Sequence, residues 1–384
     1  MDQHLHIIAL NIPYPPDYGG IIDIYYKLEA LHRLGVKVIL HCFEYERPPA
    51  AELEDLCETV YYYKRRTGWM ANMTTLPYNV YSRKNTALIR NLLRDDHPIL
   101  FEGLHSCYYL TDKRLSGRLK LCREGNIEHD YYRLLAGACR SLPVKLFLLL
   151  EALRFRHYQK VLASANVILA ISQTDAAYLQ RMFPNKRIEF VPAFHASAEV
   201  TAQAGRSGFI LYHGKLSVFE NEYVAIFLIT QVFSRLNCPC ILAGMNPSQR
   251  IRAAAAPYAH IAIEANPSSG RMNELIREAQ VHLLVTFQAT GLKLKLLNSL
   301  FAGRHIVVNR LMLAGSGLDA LCHVADTPEE MIDVCRHLLE EPFTGEEIRR
   351  RQSILIPTYT TAHQAGQILQ FISDGRKHNS PTRQ

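Results

Sequence analysis

Short runs of β-branched and aliphatic residues alternate with amphipathic stretches along almost the whole chain, and this alternation limits the fold more than any single motif. "HIIAL", "VKVILHCF", "PILFEG", "NVILAIS" and "RIEFVP" read as strands of the first half. "GFILYHG", "CPCILAG", "HIAIEA", "VHLLVTF" and "HIVVN" read as strands of the second. Between them lie helical patterns such as "IIDIYYKLEALHRLG" and "NEYVAIFLITQVFSRL". Strands apolar on both faces belong to parallel sheets, whose neighbours are joined by crossover helices. The expectation is an α/β protein built from doubly wound, Rossmann-like units.

At 384 residues the chain is long for one core and fits two domains. The small, polar stretch "HASAEVTAQAGRSG", residues 195–208, carries no periodic signal and reads as the linker. The expected boundaries are 1–197 for the first domain and 206–360 for the second. Residues 361–384 are expected to form a terminal helix that packs back on the first domain, then a tail. Open α/β sheets bind ligands beyond the carboxyl ends of their strands. Two such units facing each other across a cleft would suit a substrate with two halves, such as a nucleotide joined to something else.

Composition excludes several classes. No apolar run is long enough to span a bilayer. "MDQHLHIIALN" has no basic segment ahead of its apolar stretch, so it reads as a first strand and not as a leader. The formal charge is +7, and residues 1–190 hold 25 Lys and Arg against 20 Asp and Glu, a difference of +5. That excess is too mild for a dedicated nucleic-acid binder, but it suits an anionic membrane surface or a phosphorylated substrate. Nine cysteines are scattered without a CxxC pair. Cys238 and Cys240 share a strand face but have no further ligands nearby, so buried thiols in a reducing cytoplasm are expected.

Two glycine loops carry the chemical signal. In "IPYPPDYGG", residues 12–20, Gly19 and Gly20 stand directly before a helix. Glycine permits φ > 0 and close backbone approach, and the free amides of a helix start can receive an anion or sugar hydroxyls. A tight turn with nothing bound would read the same way. The second loop lies in "VHLLVTFQATGLKLKLLNSLFAGRHIVVN", residues 281–309. It parses as strand, turn, the helix "LKLKLLNSLFA" with Thr290 as N-cap, a stop at Gly303, and strand. Leu294, Leu297 and Phe301 form an apolar stripe, while Gly291, Lys295 and Asn298 share another face. An anion at that helix start would meet free amides, the dipole and Lys295 together. Asn298, one turn further in, could hydrogen-bond a ribose hydroxyl.

Together these loops resemble the GT-B glycosyltransferases, and within them glycosyltransferase family 4 and its bacterial polysaccharide-assembly relatives. "VILAISQTDAAYL" with "IEFVPAF" resembles the end of the acceptor-side domain, and "ILYHGKLSVFENE" the opening strand and loop of the donor domain. By position, the resemblance implies that Gly19 and Gly20 approach the donor diphosphate and sugar. It places Lys215 near the diphosphate, Ala265 and Asn266 near the base, Thr290, Gly291 and Leu292 on the donor sugar, and Asn298 on the ribose. Many family members carry a glutamate at each end of a seven-residue gap; here those positions are Thr290 and Asn298, which leaves donor identity and stereochemistry open.

For chemistry, "LFEGLHSCYYL" places Glu102 and His105 past a strand end, and "REGNIEHDYYRLLAG" places Glu128, His129 and Asp130 past another. The resemblance implies a first-domain histidine on the donor sugar, either His105 or His129, although Gly125 stands where relatives carry one. An inverting enzyme would need Glu128 or His105 to take the acceptor proton. A retaining one, which the resemblance implies, would let the departing diphosphate help, with Lys215 and Lys295 stabilising its charge. No DxD motif follows a strand, so neither a metal nor any cofactor is expected beyond the UDP- or GDP-sugar substrate.

"SLPVKLFLLLEALRFRHYQKVLASA" mixes leucines with Arg154, Arg156, His157 and Lys160, and could lie on a membrane or serve as a core helix. "YYYKRRTGWMANM", with Trp69, Met70 and the run Lys64–Arg66, is a second such segment. The overall expectation is a glycosyltransferase of the cytoplasm, or of the inner membrane face, acting on a glycan or lipid-linked acceptor in surface polysaccharide synthesis. A non-catalytic sugar-nucleotide-binding scaffold and a sugar-nucleotide epimerase are the alternatives.

Overall fold

A computed structural model describes residues 3–139, 141–288 and 293–379. The chain divides into two compact units, one of residues 1–195 with 361–384 and one of residues 196–360.

The first unit holds seven strands: β1 His4–Ile8, β2 Lys37–Glu44, β3 Thr59–Lys64, β4 Ile99–Glu102, β5 Lys120–Glu124, β6 Val167–Ala170 and β7 Arg187–Phe190. They are parallel, in the order β3-β2-β1-β4-β5-β6-β7. His6 of β1 stands opposite Ile39 of β2 on one side and Ile99 of β4 on the other. The winding runs outward from β1 and then returns to β4, so its direction reverses between these two strands. Connections after β1 and β4 leave in opposite directions there, which opens a crevice at their carboxyl ends. The loop "IPYPPDYGG" follows β1, and His105 follows β4.

Apolar layers cover both faces of this sheet. On one, Leu5 and Ile7 meet Leu28 and Leu31 of the helix Gly19–Arg33, with Ile368 and Phe371 of the terminal helix Thr361–Asn379. On the other, Ile8, Phe101 and Ile168 meet Phe155 and Leu162. The first half of "YYYKRRTGWMANM" is β3, an edge strand on which Tyr61 and Tyr63 stack against His41. These tyrosines therefore serve the sheet.

Central strand β5 breaks the apolar rule, because Lys120, Arg123 and Glu124 are all buried in it. Buried charge is tolerated only when paired and hydrogen-bonded. Arg123 grips Asp23 of the helix Gly19–Arg33 through two bonds of 2.9 and 2.8 Å, and donates to the carbonyls of Val191 and Pro192 at 3.0 and 2.7 Å. Lys27 bridges Asp23 at 3.1 Å and Glu102 at 2.6 Å. The same ion network thus joins helix Gly19–Arg33 to β4 and β5.

The second unit repeats the winding with six strands: β8 Ile210–His213, β9 Cys240–Gly244, β10 Ile261–Ala265, β11 Val281–Leu284, β12 His305–Val308 and β13 His323–Val324. Their order is β10-β9-β8-β11-β12-β13, all parallel, with the reversal between β8 and β11. Part of the expected linker belongs to this unit: Gly205 pairs with Phe343, and the Thr201 amide donates to the Phe301 carbonyl at 2.7 Å.

The helix after β11 runs Leu294–Ala302 and stops at Gly303, as its sequence implied. It begins later than "LKLKLLNSLFA" indicated, with Lys293 at the cap position and no side chain capping it. Thr290, Gly291 and Leu292 lie outside the described residues.

Candidate functional site

Both reversal points carry the polar residues that the sequence singled out, and each is built within its own unit. In the first, Arg47 holds the proline loop. It donates to the Pro15 carbonyl at 2.7 Å, pairs with Asp17 and lies over the Tyr18 ring. The helix begins at Gly19 itself, with extended Tyr18 at its cap, no capping side chain and no acidic residue in its first turn. Ile21 and Ile22 donate back to Tyr18, so the Gly19 and Gly20 amides precede the first helical bonds. Neither glycine uses a positive φ. A Cβ on Gly20 would meet only the Tyr18 ring, at an ordinary 3.9 Å. The chain's own packing therefore does not require glycine at position 20.

Glu102, expected as a reactive carboxylate, is taken up by Lys27 in the buried network. It anchors the helix to β4, and we assign it a structural role.

His105 and Glu128 come together at the ends of β4 and β5. Nε2 of His105 is 3.6 Å from Oε2 of Glu128, and the imidazole stands edge-on to Phe155. Glu128 opens the helix Glu128–Ala138, and its Oε2 has no hydrogen-bond partner among the described residues. Burial pushes its carboxyl up to about 8, against the pull of Arg83. Burial, with Arg83 and Arg65, pushes His105 down to about 3. Burial thus favours the neutral form of both groups. Arg83 is buried and donates to the Leu10 carbonyl at 2.9 and 2.6 Å, tying this cluster to the chain just after β1. His129 is also buried and its Nδ1 has no hydrogen-bond partner among the described residues; its Nε2 lies 3.5 Å from Asp130.

In the second unit, Lys295 and Lys215 are joined through one side chain. Asn221 accepts from Lys295 Nζ at 3.0 Å and donates to the Lys215 carbonyl at 3.0 Å. The Lys295 ammonium also sits 5.0 Å from the centre of the Tyr212 ring. Burial lowers its pKa to about 8; Glu220 opposes the shift and Lys293 adds to it. Glu220 is held by the Thr286 hydroxyl, and the Thr286 backbone by Asn309. His213, at the end of β8, is buried against Ser299 at 3.0 Å. Lys215 itself is exposed on the loop after β8.

Two further positions behave differently from each other. Asn298 Oδ1 is buried without a hydrogen-bond partner among the described residues, so one amide acceptor stands open. Asn266 is exposed in the left-handed region, φ 51°, and accepts the Asn246 amide at 2.7 Å, bracing the ends of β9 and β10. Beside it, Gly244 is compulsory: a Cβ there would lie 1.8 Å from the Gly214 carbonyl oxygen. The Lys215 loop thus rests directly on the end of β9.

Asn221, Glu220, Tyr212, Thr286 and Arg83 were not foreseen from the sequence. "VFENE" after "HGKLS" offered a signal, since two acids and an amide open a helix just past a strand end. Nothing around "YSRKN" marks Arg83.

No family model matches the chain. An uncharacterized 44.6 kDa protein in the cps region of Klebsiella pneumoniae is 28% identical over 177 residues, which cover 44% of this chain and 45% of that protein. The match thus spans less than half of the relative's length. Solved structures align over nearly the whole chain. Anabaena Alr3699/HepE in complex with UDP and glucose has a TM-score of 0.64 at 10% identity, covering 97% of this chain and 100% of that one. An alpha,alpha-trehalose 6-phosphate synthase from Burkholderia multivorans has a TM-score of 0.63 at 11% identity, covering 99% and 100%. A TarM mutant from S. aureus, in complex with Fondaparinux, alpha-GlcNAc-glycerol and UDP, has a TM-score of 0.67 at 9% identity, covering 96% and 99%. Likeness at such low identity is a likeness of fold, and the fold of this chain is that of the GT-B glycosyltransferases.

Proposed function

We propose that the chain is a glycosyltransferase that moves a sugar from a UDP- or GDP-linked donor to a glycan or lipid-linked acceptor in surface polysaccharide assembly. The observation that carries this reading is the Lys295 ammonium, which Asn221 ties to the backbone carbonyl of Lys215 at the reversal point of the second unit. An ammonium held half-desolvated, with its pKa lowered to about 8, gains most from an arriving dianion. Each charge-assisted bond to a phosphate oxygen is worth about 1.5–3 kcal/mol. In this reading Lys295, Lys215 and helix-start amides stabilise the diphosphate without a metal, and the open acceptor of Asn298 receives a ribose hydroxyl. The cps-region relative fits a place in polysaccharide assembly, and UDP in the solved complexes of the same fold fits the donor class.

The charge state of the first unit favours retention. His105 is too weak a base and Glu128 already holds its proton at neutral pH, so neither is set to deprotonate an acceptor. In this reading the leaving diphosphate takes the acceptor proton. Incubation with a panel of nucleotide sugars, with and without saccharide acceptors, tests the proposal through release of free nucleotide. Turnover dependent on acceptor supports it. Binding without turnover favours the scaffold, for which the lack of a carboxylate at Thr290 and Asn298 is the motive.

A further inference from the structure

The helix Leu142–Tyr158 leaves an unusual surface uncovered. Leu142, Leu146, Leu149, Leu150 and Leu153 fall at i, i+4, i+7, i+8 and i+11, on one side of the helix, and each is 40–66% exposed. Their stripe is about 16 Å long at 1.5 Å per residue. Its last member, Leu153, lines a cavity of about 760 Å³ within the first unit. The other walls of that cavity include Arg133, Arg156, His157 and Lys160, with the buried His129 whose Nδ1 has no hydrogen-bond partner among the described residues. Among the described residues no Asp or Glu lines it. The nearby carboxylate, Asp130, lies 3.5 Å from His129 and 3.6 Å from Arg133. Glu151, the acid of the leucine helix, is buried and paired with Arg154 at 2.8 Å.

A surface that is aliphatic along one line and cationic at the end of that line complements an amphiphile with a phosphate head and a hydrocarbon tail. A second copy of the chain fits it poorly, because a two-fold contact would bring the same cations together. We infer that the cavity lined by Arg133, Arg156 and Lys160 takes the phosphate head of a membrane lipid while the leucine stripe lies among its acyl chains. No helix among the described residues is long and apolar enough to cross a membrane, so the contact is one of a helix lying at the surface. The inference deepens the proposed function by naming the anchor of its acceptor, and rests on that reading for what the lipid is used for.

The test is sedimentation of the full chain with phosphatidylcholine vesicles, with and without phosphatidic acid, and with no nucleotide sugar present. Loss of vesicle binding and loss of donor binding are then separate results. The protein is expected to sediment with the phosphatidic acid vesicles and to remain in solution with phosphatidylcholine alone. The double variant Arg156→Glu, Lys160→Glu should reduce partitioning at least about tenfold. Leu149→Ser with Leu153→Ser should do the same. All four positions are exposed, and unchanged thermal melts will show that the fold is kept. Partitioning of the unaltered chain must also fall as sodium chloride rises, a reading that needs no variant. Inorganic phosphate should compete poorly, since it lacks the tail. No vesicle binding, unchanged binding by the charge-reversed chain, or full displacement by inorganic phosphate would overturn the inference. A solution dimer that the serine variants convert to monomer would overturn it too.

Discussion

Nε2 of His105 stands 3.6 Å from Oε2 of Glu128, and burial pushes each of the two groups toward its neutral form. Burial penalises the charged form of either partner, which raises the carboxyl and lowers the imidazole.

Glu128 makes stability depend on pH in a defined direction. Its carboxyl ionises near 4.5 when unfolded and near 8 when folded. Between those values the folded chain binds the extra proton, so the group's contribution to stability falls as pH rises from 4.5 to 8. Glu128→Gln stays neutral throughout and removes that slope. Urea melts should show the variant more stable than the parent at pH 8, by about 1–3 kcal/mol, and little different at pH 4.5.

Two glycines should separate folding from binding. Gly20→Ala places a methyl within a helix at an ordinary 3.9 Å contact with the Tyr18 ring, so it should raise stability by about 0.5–1 kcal/mol. The same methyl should weaken nucleotide-sugar binding if a diphosphate approaches that backbone. Gly244→Ala drives a methyl into the Gly214 carbonyl and should destabilise by about 1–3 kcal/mol while displacing the Lys215 loop. Thermal melts paired with donor titrations on both variants check the contrast.

Asp23 anchors two buried cations. Burial alone would raise its pKa, but Arg123 and Lys27 outweigh that and hold the carboxyl well below the usual range. Its contribution to stability is therefore present above about pH 4 and lost as pH falls below. Asp23→Ala leaves Arg123 and Lys27 without this partner and should cost about 3–5 kcal/mol in denaturant melts at pH 7.

Lys295 gives donor binding its own pH dependence. The free ammonium loses its proton near pH 8, well below an ordinary lysine. Affinity for a nucleoside diphosphate should be level below that pH and fall as pH rises through it. In Lys295→Ala the profile should be flat over this range, and affinity at pH 7 should be lower by about tenfold or more.

Much of this was legible in the sequence, and the exceptions have physical causes. Apolar runs such as "VILA" of β6 announce a parallel strand because both faces are buried. "KLCRE" of β5 hides its place in the sheet because its charges are neutralised by residues far along the chain, Asp23 among them. Lys295 could be placed from its helix and strand neighbours. Its partner Asn221 lies 74 residues away, and no local pattern foretells a contact that only the sheet winding creates. The partner of Glu102 was hidden for the same reason, because Lys27 lies 75 residues away along the chain.

The central claim is that this chain holds a nucleoside diphosphate through Lys295 and backbone amides. Calorimetric titration with UDP and with GDP, without added metal, tests it most directly. At least one of them is expected to bind one to one, and Lys295→Ala to weaken it about tenfold or more. Absence of binding by both nucleotides, or equal affinity in the variant, would contradict it.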